Sequence, residues 1–277
     1  MMKLLLRGLL PAVLPCSLLL AQNAPPPPSS TGSTLHPENE LVMRVLHREP
    51  FKIVLTGDST VATEGGWGPG FCATLTSNVT CVDLALNGRS TKSFIDEGAW
   101  QKALDEKGQY YFIQFGHNDQ KPKPTVHADV NTTFQDNLRR MVRDVRAQGG
   151  IPILVTSLSR RNYVDGQPDP NDGLGDYAAA TTKVATEEHV ALVDLYHLSR
   201  AYLITMTQEK ADRFDMVGHP DAKAENKSAA KPDRTHLDQE GKEVFGHMVA
   251  KDVILRRPEL KPNVNVTSSL PKQAGDH

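Results

Sequence analysis

Apolar residues in this chain gather into short, unbroken runs, most of them followed by a glycine-containing turn and then by a stretch with helical spacing. The first run opens at Phe51 and ends in the turn Gly57-Asp58-Ser59-Thr60. Val79 to Leu86, Tyr110 to Phe115, Ile151 to Thr156 and Val190 to Leu195 follow. Runs of this length without polar alternation predict strands buried on both faces, the habit of a parallel sheet. Between them the period changes. Val130, Phe134, Leu138, Met141 or Val142, and Val145 share one helical face, with Asp129 placed to cap it and Gly149-Gly150 to stop it. Asp176 to Glu188 and Leu198 to Gln208 read as further helices. Asp238 opens a last one carrying Val244, Phe245, Met248, Val249 and Val253. Shorter helices are expected over Asn39–Glu49 and through Phe71 and Leu75. Strands alternating with helices predict an α/β chain with helices on both faces of one parallel sheet.

The two ends do not share this pattern. Met1 to about Ala24 has a charged start at Lys3 and Arg7, an apolar centre and small residues for cleavage, which is the build of a secretory signal. Residues 25–45 form a Pro/Ser-rich linker, 46–258 the folded domain, and 259–277 a mobile tail without periodicity. The expected location is therefore secreted or periplasmic, with no membrane association after cleavage. Beyond the signal two cysteines remain, Cys72 and Cys81. Export favours one disulfide between them, and two buried thiols are the alternative. A net charge of -2 without a long basic block argues against a nucleic-acid groove. Gly65 to Gly70 is glycine-rich, yet it lacks the spacing of a dinucleotide fingerprint, and the histidines lack the spacing of metal ligands. No cofactor and no metal are expected.

The chemistry concentrates at the ends of the strands, where open parallel sheets place their ligands. Ser59 follows the first strand. A serine hydroxyl becomes a nucleophile only beside a base and an oxyanion site. Asp233-Arg234-Thr235-His236 supplies a base, because the D-x-x-H spacing folds the carboxylate back onto one ring nitrogen and leaves the other for the serine. Donors for an oxyanion are the Ser59 amide, the Gly88 amide and the Asn118 side chain. No G-x-S-x-G elbow is present, so the geometry differs from that of the α/β-hydrolases. Each residue also has a plainer reading: Ser59, Gly88 and Asn118 as turn residues, Asp233 as a cap, and His117 as a buried, satisfied histidine. For His117 the plain reading is preferred.

Together, Gly57-Asp58-Ser59-Thr60, Asn87-Gly88-Arg89-Ser90, Gly116-His117-Asn118-Asp119 and Asp233-Arg234-Thr235-His236 resemble the four blocks of the SGNH (GDSL-like) hydrolases. The extended Gly116-to-Lys121 block and Gly175-Asp176-Tyr177 are most similar to the rhamnogalacturonan acetylesterases. The resemblance implies a three-layer α/β/α flavodoxin-like fold with a five-stranded parallel sheet. It implies Ser59 as nucleophile, His236 as general base and then acid, Asp233 as its orienter, and Ser59, Gly88 and Asn118 as the oxyanion hole. The implied substrate is an acetylated polysaccharide, pectic rhamnogalacturonan, hydrolysed without a metal; separately, a monomer is expected. Acetylxylan, a lipid or a thioester is the alternative substrate, and a non-catalytic glycan-binding domain the alternative class. Ala178 and the Ser157–Gly173 loop depart from the relatives' pattern and leave the polysaccharide open. From loop position alone, Trp67, Arg160, Arg161, Tyr163 and Tyr177 are expected to line the substrate cleft.

Overall fold

The computed structural model describes residues 37–216 and 233–266. The signal segment, the start of the linker, residues 217–232 and residues 267–277 lie outside the described residues. Five parallel strands form the central sheet: β1 Phe51–Gly57, β2 Val79–Asp83, β3 Tyr110–Gln114, β4 Ile151–Val155 and β5 Ala191–Val193. Their spatial order is β2-β1-β3-β4-β5. Because successive side chains on a strand point to opposite faces, each run feeds two cores at once. Ile53 and Leu55, Tyr110 and Phe112, Ile153 and Val155 enter one core, while Val54, Tyr111, Ile113 and Leu154 enter the other. That double burial is why these runs are apolar without interruption.

Helices α1 Pro37–Leu46, α2 Gly68–Cys72, α7 Leu195–Leu203, α8 Gln208–Asp212 and α9 Gln239–Arg256 contribute to the first core. Helices α3 Thr91–Asp96, α4 Ala99–Asp105, α5 Thr133–Ala147 and α6 Gly175–Glu187 contribute to the second. The molecule is thus a three-layer α/β/α sandwich. Asp238 caps α9 as its sequence position indicates, accepting the Gly241 amide at 2.8 Å. Asp129 holds the turn before α5 instead, its Oδ1 accepting from Asn131, Thr132 and the Thr132 hydroxyl.

Two expected boundaries move. The described part of the linker stretch is helix α1, with Leu41 and Val45 buried in the core, so folded structure begins before residue 46. Past residue 258 a 3-10 helix, Pro258–Asn263, buries Leu260 and Asn263, whose amide donates to the Val45 carbonyl at 2.8 Å. The tail to this point is therefore packed, not mobile. The Ser157–Gly173 loop carries a small antiparallel hairpin, Tyr163–Val164 with Gln167–Pro168.

α2 and α9 cross with their backbones in contact. A Cβ on Gly70 would stand 1.8 Å from the Lys242 carbonyl oxygen, and one on Gly246 would stand 2.3 Å from the Phe71 nitrogen. Only glycine allows that approach. At the end of α2, Cys72 is disulfide-bonded to Cys81 on β2. With nine residues of separation, closing this loop removes enough unfolded-state freedom to stabilise the fold by about 2–3 kcal/mol. Reduction or the double serine variant is expected to lower Tm by roughly 5–10 °C in calorimetry. An unchanged Tm would show the bond to be idle.

Candidate active site

In a sheet of order 2-1-3-4-5, the crevice lies beyond the carboxyl ends of β1 and β3, where the connections change direction. The chemistry-bearing turns are found there. Ser59 follows β1 in a turn closed by the Asp58 carbonyl, which accepts the Val61 and Ala62 amides at 3.1 Å. Asp58 Oδ1 also accepts from the Thr60 amide and hydroxyl at 2.9 and 2.7 Å. Behind this turn, Gln114 at the end of β3 donates to the Thr60 hydroxyl at 2.6 Å and accepts the Trp67 indole N–H at 2.8 Å. Gly57 is needed for space: a Cβ would lie 2.6 Å from the Gln114 carbonyl oxygen.

Ser59 Oγ donates to His236 Nε2 at 2.8 Å, and His236 Nδ1 donates to Asp233 Oδ2 at 2.8 Å. Asp233 Oδ1 accepts the backbone amides of Thr235 and His236, each at 3.1 Å. Partial burial opposes ionisation of Asp233, but these three donors outweigh it and hold the carboxyl well below the usual carboxylate range. The anion is therefore fixed beside the ring. It sets the tautomer that leaves Nε2 bare to accept the serine proton.

The other two blocks meet at the same crevice. Gly88 has φ +75°, a left-handed conformation that glycine takes without strain. Asn118 follows β3, and its Nδ2 donates one proton to the Arg89 carbonyl at 2.9 Å while its Oδ1 accepts from Lys121 Nζ at 2.6 Å. An amide nitrogen has two protons, so the second is left for another acceptor. Asp119 ties the blocks together: Oδ1 accepts the Thr91 amide and hydroxyl, and Oδ2 the Gly116 amide. Burial pushes the Asp119 carboxyl up to about 7. His117 is buried, with Nε2 donating to the Leu158 carbonyl at 2.9 Å. Burial, then the nearby Arg160 charge, push its imidazole down to about 3, so it is a neutral histidine; it is buried as expected but not fully satisfied, its Nδ1 having no partner among the described residues.

Of the five residues expected to line the cleft, Arg160 is half-buried, donates to the Asp172 carbonyl, and lies near enough for its charge to act on Asp58 and His117. Trp67 is fully buried and braces the nucleophile turn through Gln114. Tyr177 is buried against Phe134 with its hydroxyl on the Ala128 carbonyl. Tyr163 donates to the Leu203 carbonyl at 2.7 Å and so faces α7. Arg161 is fully buried beneath the His236 loop. These side chains are large and amphipathic, and the polar end of each finds an internal partner. Position in a loop had favoured exposure; the hydrogen-bond demand of the core decides otherwise.

The glycine-rich loop has a role that its sequence did not disclose. Gly65 lies against the His236 side chain, and its carbonyl accepts the Leu237 amide at 2.8 Å, fastening His236 beside the Ser59 turn. Among the described residues no group of three or more His, Cys, Asp or Glu is placed to hold a metal ion, and no helix is long and apolar enough to cross a membrane. A cavity of about 610 Å³ lined by Pro37, Arg146, Pro152 and Arg257 lies at the amino-terminal end of β4 and contains none of the triad.

Residues 55–244 match the model of the GDSL-like Lipase/Acylhydrolase family. The chain is 33% identical over 210 residues to a probable rhamnogalacturonan acetylesterase, YesY of Bacillus subtilis, covering 73% of this chain and 91% of that one. It is 31% identical over 215 residues to the rhamnogalacturonan acetylesterase RhgT of the same organism, covering 74% and 90%. Among solved structures, Bacillus subtilis YxiM matches with a TM-score of 0.62 at 24% identity, covering 76% of this chain and 57% of that one. Axe2 of Geobacillus, an acetyl-xylooligosaccharide esterase, matches with a TM-score of 0.52 at 16% identity, covering 76% and 94%. These two likenesses are likenesses of fold. The family match, the two curated relatives and the crevice at the sheet's carboxyl edge place the chain in the GDSL-like lipase/acylhydrolase family of carboxylic ester hydrolases.

Proposed function

We propose that this chain is an exported serine acetylesterase that removes acetyl groups from pectic rhamnogalacturonan. The observation that carries the reading is the unbroken relay from Ser59 through His236 to Asp233, at 2.8 Å in both steps. Ser59 Oγ attacks the acetyl carbonyl carbon while His236 Nε2 takes the hydroxyl proton. The carbonyl oxygen becomes an oxyanion held by the Ser59 and Gly88 amides and the second Asn118 Nδ2 proton. His236 returns its proton to the departing sugar oxygen, leaving Ser59 acetylated. Water, deprotonated by His236, then attacks the same carbonyl, acetate leaves and the serine recovers its proton. Rhamnogalacturonan is favoured because the two relatives above 30% identity carry that substrate in their names. Arg160, whose charge acts on Asp58 and His117, suits a galacturonate carboxylate. Export is supported by the signal-like start and by the Cys72–Cys81 bond, which suits an oxidising compartment.

The test is acetate release by the mature chain from acetylated rhamnogalacturonan, acetylxylan and a small aryl acetate. The expected result is a kcat/KM on the pectic polymer at least about tenfold above that on acetylxylan, a difference of roughly 1.4 kcal/mol in transition-state binding. Equal rates on the two polymers, or turnover of the aryl acetate alone, would sink the pectin assignment while leaving the esterase. No turnover of any of the three would leave a glycan-binding domain.

A further inference from the structure

A guanidinium sits directly beneath the loop that carries the catalytic base. Arg161 is fully buried, and its Nε donates to Asp215 Oδ1 at 2.7 Å. Its two terminal nitrogens reach three carbonyls of one turn in a distant chain segment. Nη2 donates to the His236 carbonyl at 2.5 Å and the Asp233 carbonyl at 3.2 Å, and Nη1 to the Thr235 carbonyl at 3.5 Å. The Arg161 amide donates to the Arg234 carbonyl at 2.9 Å, so every carbonyl of the Asp233–His236 tetrad is met by this one residue. Gln208 holds Arg161 in turn, donating to its carbonyl at 2.8 Å.

This arrangement has a purpose that packing alone does not explain. The Asp233 side chain folds back onto the Thr235 and His236 amides and the His236 ring, which turns the tetrad's amides one way and its carbonyls the other. Buried carbonyls converging on a point require donors. Five N–H groups in a rigid planar fork satisfy several acceptors at fixed angles, whereas an ammonium offers three donors on a flexible stem. Asp215 neutralises the buried charge and aims the fork. It is itself tied to the far side of the loop, since Met216 donates to the His236 carbonyl and Asp215 bridges to Leu237.

We propose that Arg161 is a positioning residue of the esterase, a clasp that sets the height and angle of His236 toward Ser59 by holding the carbonyl side of the Asp233–His236 turn. It touches no substrate. The proposal rests on Ser59, His236 and Asp233 being the reacting triad.

The experiment compares wild type with Arg161→Lys, Asp215→Asn and Ser59→Ala. It uses an aryl acetate, a fluorophosphonate that labels the serine, thermal unfolding, and the downfield proton resonance of the His236 Nδ1–H. Arg161→Lys is expected to fold, to lose about 10–100-fold in kcat and in labelling rate with KM changed less than about twofold, and to shift or lose the downfield proton. Asp215→Asn keeps an acceptor for Nε and removes the charge. It is expected to lower Tm while kcat stays within about threefold, separating loss of stability from loss of alignment. Should Arg161→Lys fail to fold, Asp215→Ala, which frees the fork, is read for the same downfield proton and kcat. A folded Arg161 or Asp215→Ala variant with wild-type kcat and an unmoved downfield proton would overturn the clasp. If Ser59→Ala labels and turns over like wild type, it is the triad that fails, and the clasp with it.

Discussion

Replacing Ser59 by alanine is expected to lower kcat/KM on every ester substrate by at least about 10⁴-fold, with the fold and substrate binding retained. The size of the effect follows from what the hydroxyl is. In the proposed mechanism it both attacks the acetyl carbon and hands a proton to His236 Nε2, 2.8 Å away. Without it, the proposed oxyanion donors of Gly88 and Asn118 remain, and the residual rate is what they can give to direct attack by water. The turn itself does not depend on the hydroxyl, because Asp58, Thr60 and Gln114 hold it through their own bonds. Acetate release and an unchanged unfolding profile, measured together, check this. Activity within about tenfold of wild type would remove the serine mechanism.

Asp233→Asn is expected to cost nearly as much, about 10⁴-fold in kcat. An asparagine that keeps the Thr235 and His236 amide bonds on its oxygen presents an NH₂ group to His236 Nδ1. The ring must then carry its proton on Nε2, the tautomer that cannot accept from Ser59. The same substitution changes acid stability. Asp233 has a folded pKa below its unfolded value, so its contribution to stability is present above about pH 4 and is lost as the pH falls below that. The variant should therefore have a flatter acid limb of Tm against pH than the wild type, alongside its loss of activity. A wild-type pH–rate profile in the variant would show that the carboxylate does not set the tautomer.

The sheet was readable in the sequence, and so was the pairing of Asp233 with His236 on which the proposed mechanism rests, for different reasons. The strands showed because burial on both faces leaves no polar alternation, as at Tyr110–Gln114 and Ile151–Val155. Asp233 and His236 could be paired because they lie three residues apart, within one local turn. What stayed hidden depends on contacts distant in sequence. Trp67 and Arg161 look like cleft residues until Gln114 and the His236 carbonyl are found at their polar ends. Helices α3 and α4 were missed because they are short and broken at Gly98, and the first is capped by a reciprocal Ser90–Ser93 pair, not by the more familiar glutamate. The 3-10 helix after α9 contains two prolines and no period to detect.

The backbone contact of α2 with α9 also orders events in time. Ser59 and His236 are separated by 177 residues, and His236 stands three residues before α9, the helix that lies against Gly70. All five strands precede α9 in the chain, so an emerging polypeptide can pair its sheet long before it has a base. Closing so long a loop is entropically slow, and a contact between bare backbones gains nothing until the two helices are in register. Hydrolytic competence is thus expected to require both the paired sheet and a docked α9, which makes turnover a reporter of near-complete folding.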